Sequence, residues 1–429
     1  MINIRKITQL LFLLSFLLRQ NALAQTDDDI SMRHCGTYEY NKGLDVKQTM
    51  QKLHNHNNAI EEGDKKYVPA KVLGSSDSIF TIPVVVHVVY HTNSENIQDQ
   101  QIESQIDVLN EDYSGTNLDI VNVPDPFKNI KAGDVGLRFC LATLDADNQP
   151  TKGVIRTYTD NIQFDFADDV KSTAAGGDDA WPASKYLNIW VCNLAGSLLG
   201  YAQYPGGGPD STDGVVIFYK AVGRNGTAVK PYNKGRTLTH EVGHWLNLLH
   251  VWGDDGGDCT GTDHVGDTPN QAGEHYNCPS YPSISCNNGP AGGDMFMNYL
   301  DYTDDSCMCL FTVGQRNRMR NALDNFRDSI KISKQTDCTP LDPKPDYTTI
   351  IIPNPNNGNF IIRFKKTIPG SFKLGLYDML GHQVFTHTES VNESRNVAVQ
   401  CDYLAKGVYF LRTDVEGHTY NNKVVIFKQ

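Results

Sequence analysis

The sequence predicts an α+β domain over residues 79–335, followed by a small all-β sandwich over residues 348–429. A strongly apolar, β-branched run at 79–90 is typical of a buried strand, and later stretches carry apolar residues at helical spacing. After residue 348 the pattern changes to short alternating strands separated by turns. The 429 residues are enough for both domains, joined by a Pro/Asp/Lys linker at 336–347.

The first 24 residues are predicted to be a secretory signal peptide. Basic Arg5 and Lys6 precede a short apolar run at 10–18, and small residues flank the expected cleavage point at 22–24. The run is too short to span a bilayer permanently, and we expect no other membrane span. Export would allow the ten cysteines to form disulfides.

Residues 25–78 are polar, show little periodicity and are predicted to be a pro-segment or linker. In the domain that follows, strands are predicted at 79–90, 135–142, 186–192 and 215–219. The apolar residues of the first predicted helix are Ile97, Ile102, Ile106 and Leu109. Two further helices are predicted at 237–246 and 312–332.

The segment His240-Glu241-Val242-Gly243-His244 predicts a zinc site on the helix at 237–246. Residues four apart share one face of a helix, so His240 and His244 can direct their imidazoles at one ion. Glu241 lies beside them and can take a proton from a zinc-bound water, which indicates peptide-bond hydrolysis. His250 is the expected third ligand, and it leaves one position open for that water.

His250 can reach the same ion only if the helix breaks after His244. Asn247 lies where the break is needed, and Asn tolerates the left-handed conformation better than any residue but Gly. We therefore expect a positive φ at Asn247 that returns His250 to the metal.

The stretch of about fifty residues after His250 is rich in Gly, Asp and Cys and too long for an ordinary loop, so metals or disulfides should hold it. Its oxygen-bearing side chains have a density that suits calcium, which takes six to eight oxygen ligands. The candidate calcium ligands are Asp254, Asp258, Thr262, Asp267 and Thr268.

The segment HEVGHWLNLLH at 240–250 resembles the metzincin zinc peptidases, and within them the pappalysin family. The stretches RHCGT at 33–37, YLNIWVC at 186–192, GDTP at 266–269 and FTVGQ at 311–315 support a resemblance that covers residues 32–335. It implies a twisted mixed sheet above the cleft, the zinc helix as the floor of the cleft, and an irregular lower half.

The family has a turn below the zinc, with an apolar Met followed two residues later by a Tyr. Met297 with Tyr299 is one possible register in this chain. Leu300 with Tyr302 matches better, because the distance to Cys307 then agrees with the family. In that register Leu300 replaces the Met as an apolar plug. The Tyr302 phenol would stabilise the oxyanion.

The family spacing implies two disulfides, which would join Cys259 to Cys286 and Cys278 to Cys307. Two other cysteines lie on predicted strands and are expected to be buried thiols: Cys140 and Cys192. Substrate specificity is expected to depend on a pocket near 301–306. A carboxylate there would favour Arg or Lys after the scissile bond, and Asp304, Asp305 and Ser306 are the open candidates for that position.

Cys35, within RHCGT, resembles the family's cysteine switch. A thiolate is a strong zinc ligand, so Cys35 is expected to occupy the open coordination position and keep the zymogen latent. Gly36 would let the backbone enter the cleft closely. Removal of the pro-segment, with cleavage expected near Lys65, Lys66 or Lys71, would free the site. The alternative is that Cys35 pairs in a disulfide or stays a free thiol.

The C-terminal domain resembles the sorting domain of Bacteroidetes type IX secretion substrates. The segments PNPNNGNF at 353–360, LAKGVY at 404–409 and KVV at 423–425 carry this resemblance over residues 348–429. It implies export through the periplasm, with the type IX machinery as a partner. An adhesive or carbohydrate-binding sandwich is the other interpretation of this domain.

These observations together predict a secreted or cell-surface zinc endopeptidase that is made as a latent zymogen and acts on protein or peptide substrates. The net charge of −12 argues against nucleic acid and anionic membrane surfaces as partners. The alternative is an inactive metzincin-fold pseudo-protease or surface adhesin.

Overall fold

The computed structural model describes residues 33–44, 79–254, 256–289, 292–333, 349–365, 371–379, 381–390, 396–415 and 418–428. The chain forms two compact units that divide between Pro340 and Leu341, within the predicted linker. The predicted signal peptide and the predicted cleavage sites at Lys65, Lys66 and Lys71 lie outside the described residues.

The first unit combines one sheet with four described α-helices. Short 3-10 helices connect several of these elements. The strands and α-helices are β1 (His34–Cys35), α1 (Thr37–Gly43), β2 (Phe80–Tyr90), α2 (Asp99–Tyr113), β3 (Leu137–Leu141), β4 (Val154–Tyr158), β5 (Leu187–Cys192), β6 (Leu198–Ala202), β7 (Val215–Phe218), α3 (Arg236–Trp245) and α4 (Val313–Phe326).

The sheet has the strand order β1-β6-β7-β5-β2, and both β3 and β4 pair with the far edge of β2. All described pairs are parallel except β6 with β7. Strands of a parallel sheet are buried on both faces and need continuous apolar runs. This explains why most of β2 is buried and why its sequence predicts a strand so clearly.

Apolar cores lie on both faces of this sheet. On one face, α2 and α3 pack their apolar residues against the strands, with Ile102, Leu238 and Val242 among the buried contacts. A second cluster, which includes Trp190 and Tyr201, covers the other face near β6. The predicted α+β fold is confirmed. β1, α1, β4 and β6 were not predicted from the sequence.

Helix α4 begins with a capping box, in which Thr312 and Gln315 each bond the other's backbone N–H. Such a cap stabilises a helix by about 1 kcal/mol. The prediction of one helix over 312–332 was wrong in its length, because α4 ends at Phe326 and a short 3-10 helix follows. Met319 and Leu323 are fully buried, whereas Phe326 is exposed.

The long segment between α3 and α4 is irregular and disulfide-bonded. The predicted disulfides Cys259–Cys286 and Cys278–Cys307 are both present. Cys192 is a buried free thiol, as predicted. Cys140 was wrongly expected to be a thiol, because it is disulfide-bonded.

The second unit is an all-β sandwich of two antiparallel sheets. Its described strands are β8 (Thr349–Ile352), β9 (Asn359–Phe364), β10 (Ser371–Tyr377), β11 (Gln383–Ser390), β12 (Asn396–Gln400), β13 (Gly407–Val415) and β14 (His418–Ile426). One sheet has the strand order β11-β10-β13-β14 and the other β12-β9-β8. Phe360, Leu374, Leu411 and Val424 lie in its buried core. The sequence did not predict β11 or β12.

Across the described ranges of both units, none of the helices combines the length and the apolar character that crossing a membrane requires.

Candidate active site

Helix α3 carries the HEVGH segment at the edge of the main core. It follows Gly235, whose φ of 77° is a left-handed conformation that favours glycine. All ten residues of the helix are buried. Leu238 and Val242 face the core of the sheet. This packing fixes the rotation of the helix and therefore the direction of its two histidines.

The three predicted histidines converge on one point. His244 Nε2 lies 3.0 Å from His240 Nε2 and 3.1 Å from His250 Nε2. Together with the sulfur of Cys35, their ligand atoms lie within 4.8 Å of one another. All four residues are buried, and no other group of three or more His, Cys, Asp or Glu with this geometry occurs in the described ranges. Imidazole nitrogens with a thiolate are a donor set that suits zinc.

Asn247 has a φ of 72°, which confirms the expected left-handed break. The Leu248 N–H donates to Gly243 O at 2.9 Å, so the chain turns back directly after the helix. The Arg318 guanidinium donates from Nε to Asn247 O at 2.6 Å. This turn brings His250 to the other two imidazoles.

The second nitrogen of each imidazole is fixed by an oxygen of the protein. His240 Nδ1 lies 2.7 Å from Tyr299 O, and His244 Nδ1 lies 2.8 Å from Leu248 O. His250 Nδ1 lies 2.8 Å from Asp254 Oδ1. Such partners hold the Nδ1–H tautomer and direct Nε2 at the metal.

Burial lowers the pKa of both His240 and His244 well below the usual range, and this favours the neutral form that binds metals. Burial also opposes protonation of His250, but the adjacent Asp254 carboxylate outweighs it and raises its pKa.

The Glu241 carboxylate lies against Cys35 and Thr37 of the predicted pro-segment. Its Oε2 accepts hydrogen bonds from Thr37 Oγ1 at 2.8 Å and from Cys35 Sγ at 3.4 Å. Its Oε1 is buried without a hydrogen-bond partner among the described residues. Burial raises the pKa of Glu241 to about 7, although the bonds from Thr37 and Cys35 oppose this shift. A Cβ added to Gly200 of β6 would lie 2.9 Å from Glu241 Cγ, so only glycine lets the strand pass this close.

Tyr302, rather than Tyr299, faces the imidazole cluster. The Tyr302 ring centroid lies 5.0 Å from that of His250, and its hydroxyl donates to Cys35 O at 3.1 Å. Burial raises the pKa of this phenol well above its usual range. Tyr299 instead donates to the buried Asp112 at 3.0 Å. Of the two registers that the sequence left open, the structure selects the one with Tyr302.

Leu300 occupies the position of the apolar plug in this register. It is fully buried beneath helix α3. One of its methyl carbons would lie 3.2 Å from a Cβ added to Gly243. The side chain therefore fills the space directly below the metal-binding helix.

The predicted pro-segment enters the site as an extra strand. β1 pairs in parallel with β6, and the Gly36 N–H donates to Gly200 O at 2.9 Å. Cys35 is a free, fully buried thiol, so it is not in a disulfide. A Cβ on Gly36 would lie 1.9 Å from a ring carbon of Phe166, so this close approach requires glycine.

Arg33 and Asp305 form a buried ion pair of 2.5 Å beside the site. The other carboxylate oxygen, Asp305 Oδ2, accepts the Lys234 and Arg236 N–H groups at 2.8 and 3.2 Å. Of the three open candidates, only Asp305 is fully buried in this pocket; Asp304 is half-buried and Ser306 is exposed.

The five candidate calcium ligands do not form one site. The carboxylates of Asp254, Asp258 and Asp267 do not meet in a metal-binding group within the described ranges. Asp254 supports His250, while Asp267 accepts hydrogen bonds from Thr312 Oγ1 and the Gly314 N–H.

The two candidate threonines have local partners instead. Thr268 Oγ1 donates to Asp263, and Thr262 Oγ1 accepts from the His264 N–H. The structure therefore does not support a single calcium ion bound by these five side chains.

Sequence reasoning missed the roles of Arg33, Thr37 and Asp254. The motif at 33–37 predicts roles for Cys35 and Gly36 but none for Arg33 or Thr37. Asp254 lies four residues after His250, a spacing that could have suggested support for the imidazole rather than calcium binding.

Two family models match the chain. A model described as pregnancy-associated plasma protein-A matches residues 171–324, and one described as a secretion system C-terminal sorting domain matches residues 350–427.

Several curated relatives are extracellular metalloproteases. The chain is 34% identical over 255 residues to one from Arthroderma benhamiae, and the aligned region covers 58% of this chain and 79% of the relative. It is 31% identical over 324 residues to one from Colletotrichum graminicola, covering 72% of this chain and 96% of the relative.

The chain is also similar to solved structures of mirolysin and its precursor. Tannerella forsythia mature mirolysin in complex with a cleaved peptide has 52% sequence identity and a TM-score of 0.58, covering 60% of this chain and 97% of that one. A Tannerella forsythia promirolysin mutant has 45% identity and a TM-score of 0.63, covering 70% of this chain and 97% of that one.

Proposed function

Since the chain belongs to the pappalysin family of metzincin zinc metallopeptidases, we propose that it hydrolyses peptide bonds with Glu241 as its general base. The chain is a secreted or cell-surface metalloendopeptidase with a type IX sorting domain. The observation that carries the proposal is the convergence of three imidazole nitrogens beside a buried carboxylate with one free oxygen.

His240, His244 and His250 are the residues that would hold the zinc ion. Their Nδ1 atoms are already bonded to protein oxygens, so only the Nε2 atoms are available to the metal. When bound, zinc supplies a Lewis acid that polarises the scissile carbonyl and makes water nucleophilic at neutral pH.

Glu241 takes the proton from the attacking water and returns it to the leaving amine. A general base must lie within hydrogen-bonding reach of the proton that it takes, and the Glu241 carboxylate lies beside the metal cluster with Oε1 unbonded among the described residues. Tyr302 keeps its proton because burial raises its pKa, and its hydroxyl can donate to the oxyanion that develops on the substrate.

Cys35 keeps the precursor latent by occupying the position that the water needs. Its sulfur belongs to the same cluster as the three imidazoles. Thr37 Oγ1 also donates to Glu241, and Tyr302 donates to the Cys35 carbonyl, so the pro-segment engages both proposed catalytic groups. Unprocessed Cys35→Ala should therefore hydrolyse peptides faster than the unprocessed wild type, and equal latency of the two would reject the switch.

Asp305 selects Arg or Lys after the scissile bond. The pro-segment already places a guanidinium on this carboxylate, at a buried position beside the cleft. Asp305→Asn should lower kcat/KM for substrates with Arg at that position more than for substrates with Leu. Peptide-library profiling before and after the substitution measures this, and an unchanged Arg preference would exclude Asp305.

The decisive experiment compares processed wild type with Glu241→Gln. The variant should bind one zinc per chain, yet hydrolyse casein about 10²–10⁴-fold more slowly, because only the proton acceptor is lost. Activity within tenfold of wild type would contradict the general-base role. Zinc-bound wild type without any hydrolysis would instead favour the inactive pseudo-protease or adhesin.

Calcium remains a separate prediction for the segment between α3 and α4. If an ion binds there through backbone carbonyls, a calcium-selective chelator should lower the unfolding temperature while the bound zinc is retained. An unchanged unfolding temperature would reject the predicted calcium site.

A further inference from the structure

A second contact of the pro-segment lies on the opposite face of the sheet from the zinc helix. There α1 inserts the Tyr40 side chain, which is 4% exposed, between residues that lie in the chain after the predicted pro-segment. We call these residues, Asp168, Lys171, Trp190 and Tyr201, the phenol pocket.

The phenol pocket matches both the ring and the hydroxyl of Tyr40. The hydroxyl donates to Asp168 Oδ2 at 2.9 Å and accepts from Lys171 Nζ at 3.0 Å. The ammonium of Lys171 lies 4.5 Å from the Tyr40 ring centroid. The Tyr201 ring centroid lies 4.8 Å from that of Tyr40. A tyrosine makes all of these contacts at once. A phenylalanine would keep the ring contacts but would lose the hydrogen bonds to Asp168 and Lys171.

The walls of the phenol pocket are held by contacts that do not involve Tyr40. Lys171 Nζ also donates to Thr212 O at 2.9 Å and pairs with Asp168 Oδ1 at 2.8 Å. Tyr201 donates to Asp165 O at 3.1 Å, and Trp190 Nε1 donates to Asp178 O at 2.8 Å. The pocket should therefore keep its shape when the pro-segment leaves.

Helix α1 is also fixed to the edge strand β6 independently of Cys35. Thr37 Oγ1 accepts from the Ala202 N–H at 2.9 Å. Asn41 Nδ2 donates to Ala202 O at 2.9 Å, and Asn41 Oδ1 accepts from the Tyr204 N–H at 3.0 Å. The pro-segment thus holds the domain at two separate places, the metal cluster and the phenol pocket.

We propose that the phenol pocket is a binding site of the mature enzyme for a tyrosine side chain, and that it holds the released pro-segment through Tyr40. The proposal rests on the proposed activation by removal of the pro-segment. Its consequence is that the excised segment inhibits the mature enzyme in trans, even without a thiol to bind the metal.

The test uses the processed full chain and labelled peptides with the sequence of residues 33–44. Every peptide carries Cys35→Ser, so that metal binding by sulfur does not contribute. Binding is followed by fluorescence anisotropy, which needs no turnover. A failure of the catalytic proposal would appear as missing hydrolysis and would leave this measurement intact.

Tyr40→Phe should weaken peptide binding at least about tenfold, because a buried hydroxyl bonded to charged groups is lost. Tyr38→Phe is the matched control. Tyr38 is only half-buried, its ring faces Lys42 of the same segment, and the loss of its hydroxyl should change binding less than twofold. Equal effects of the two substitutions would overturn the proposal.

Lys171→Met in the enzyme removes the ammonium from the pocket. The difference in binding between the wild-type and Tyr40→Phe peptides should then disappear. If that difference persists, Lys171 does not recognise the phenol and the assigned pocket is wrong. The peptide substitutions keep the test decisive even if Lys171→Met does not fold.

Discussion

At the scale of single residues, the backbone of Asn247 decides whether a third imidazole reaches the metal. Its φ of 72° turns the chain back so that His250 meets His244. The cost of this conformation for a residue with a Cβ is about 1–2 kcal/mol. The Asn247 side-chain amide is also buried without hydrogen-bond partners among the described residues.

Asn247→Gly should therefore match or exceed the wild type in stability, by up to about 1–2 kcal/mol, since glycine accepts the conformation and removes the unbonded amide. Asn247→Val should weaken zinc binding, because β-branching resists a positive φ. Urea unfolding and zinc competition with a chelator measure the two effects. Stronger zinc retention by Asn247→Val than by Asn247→Gly would contradict this explanation.

At the scale of elements, the C-terminal end of α3 is held by two arginines, one in α4 and one directly after it. The last carbonyls of a helix lack partners within it. Arg318 Nε donates to Asn247 O at 2.6 Å and Arg327 Nε donates to Trp245 O at 3.1 Å. The Arg327 guanidinium also lies 3.9 Å from the Trp245 ring centroid and pairs with Asp213. α4 and the segment after it therefore position the metal-binding helix.

Arg318→Met should lower the free energy of unfolding by about 2 kcal/mol, because a buried carbonyl loses a charged donor. It should also weaken zinc binding, since the turn at Asn247 loses its support. The control is Arg316→Met on the same helix, where the side chain is half-buried and donates to Ala132 O at 3.3 Å. The prediction is wrong if both variants lose the same stability.

The irregular segment between α3 and α4 contains a histidine between two carboxylates. His275 Nδ1 lies 3.1 Å from Asp301 Oδ2, and His275 Nε2 lies 3.3 Å from Asp294 Oδ2. Burial opposes protonation of His275, but the bonds and charges of Asp301 and Asp294 outweigh it and raise its pKa. Asp301 Oδ1 accepts the Tyr302 N–H at 2.7 Å, so this cluster supports the backbone at Tyr302, the proposed oxyanion donor.

A raised pKa in the folded state means that protonated His275 stabilises the fold. This contribution is complete below the unfolded pKa of about 6.5 and is lost as the pH rises through the folded value. Stability should therefore fall over that window in the wild type and fall less in His275→Asn. Unfolding by urea across this pH range measures the difference, and parallel curves would show that His275 does not contribute.

At the scale of the whole molecule, the chain divides into a catalytic unit and a sandwich with separate buried cores. The metal cluster, both catalytic candidates and the phenol pocket all lie in the first unit. The second unit matches the secretion sorting domain. Catalysis and delivery are therefore expected to be separable.

Deletion of residues 348–429 should leave peptide hydrolysis intact while the chain accumulates in the periplasm. Fractionation of cells, with activity measured in each fraction, tests this. Full-length Glu241→Gln is the control, because it should reach the surface or medium without being active. Normal delivery of the truncated chain would show that the sandwich is a binding module rather than a sorting signal.

The sequence alone determined the features that depend on near neighbours in the chain. The spacing of His240 and His244, the break at Asn247 and the apolar run of β2 are local patterns, and all three agree with the structure. The short strands β4 and β6 were not predicted. β4 is partly exposed and β6 has Gly200 at its centre, and glycine weakens a strand pattern, so neither has a strong local pattern.

Only the tertiary structure decided which distant residues meet. Arg33 and Asp305 are 272 residues apart, and Thr37 and Glu241 are 204 apart. The sequence left Asp304, Asp305 and Ser306 as open candidates for the specificity pocket, and the structure shows that only Asp305 of the three is buried. Such pairings follow from the path of the chain around the sheet. No local spacing encodes that path, because side chains brought together by the fold have no fixed separation in sequence.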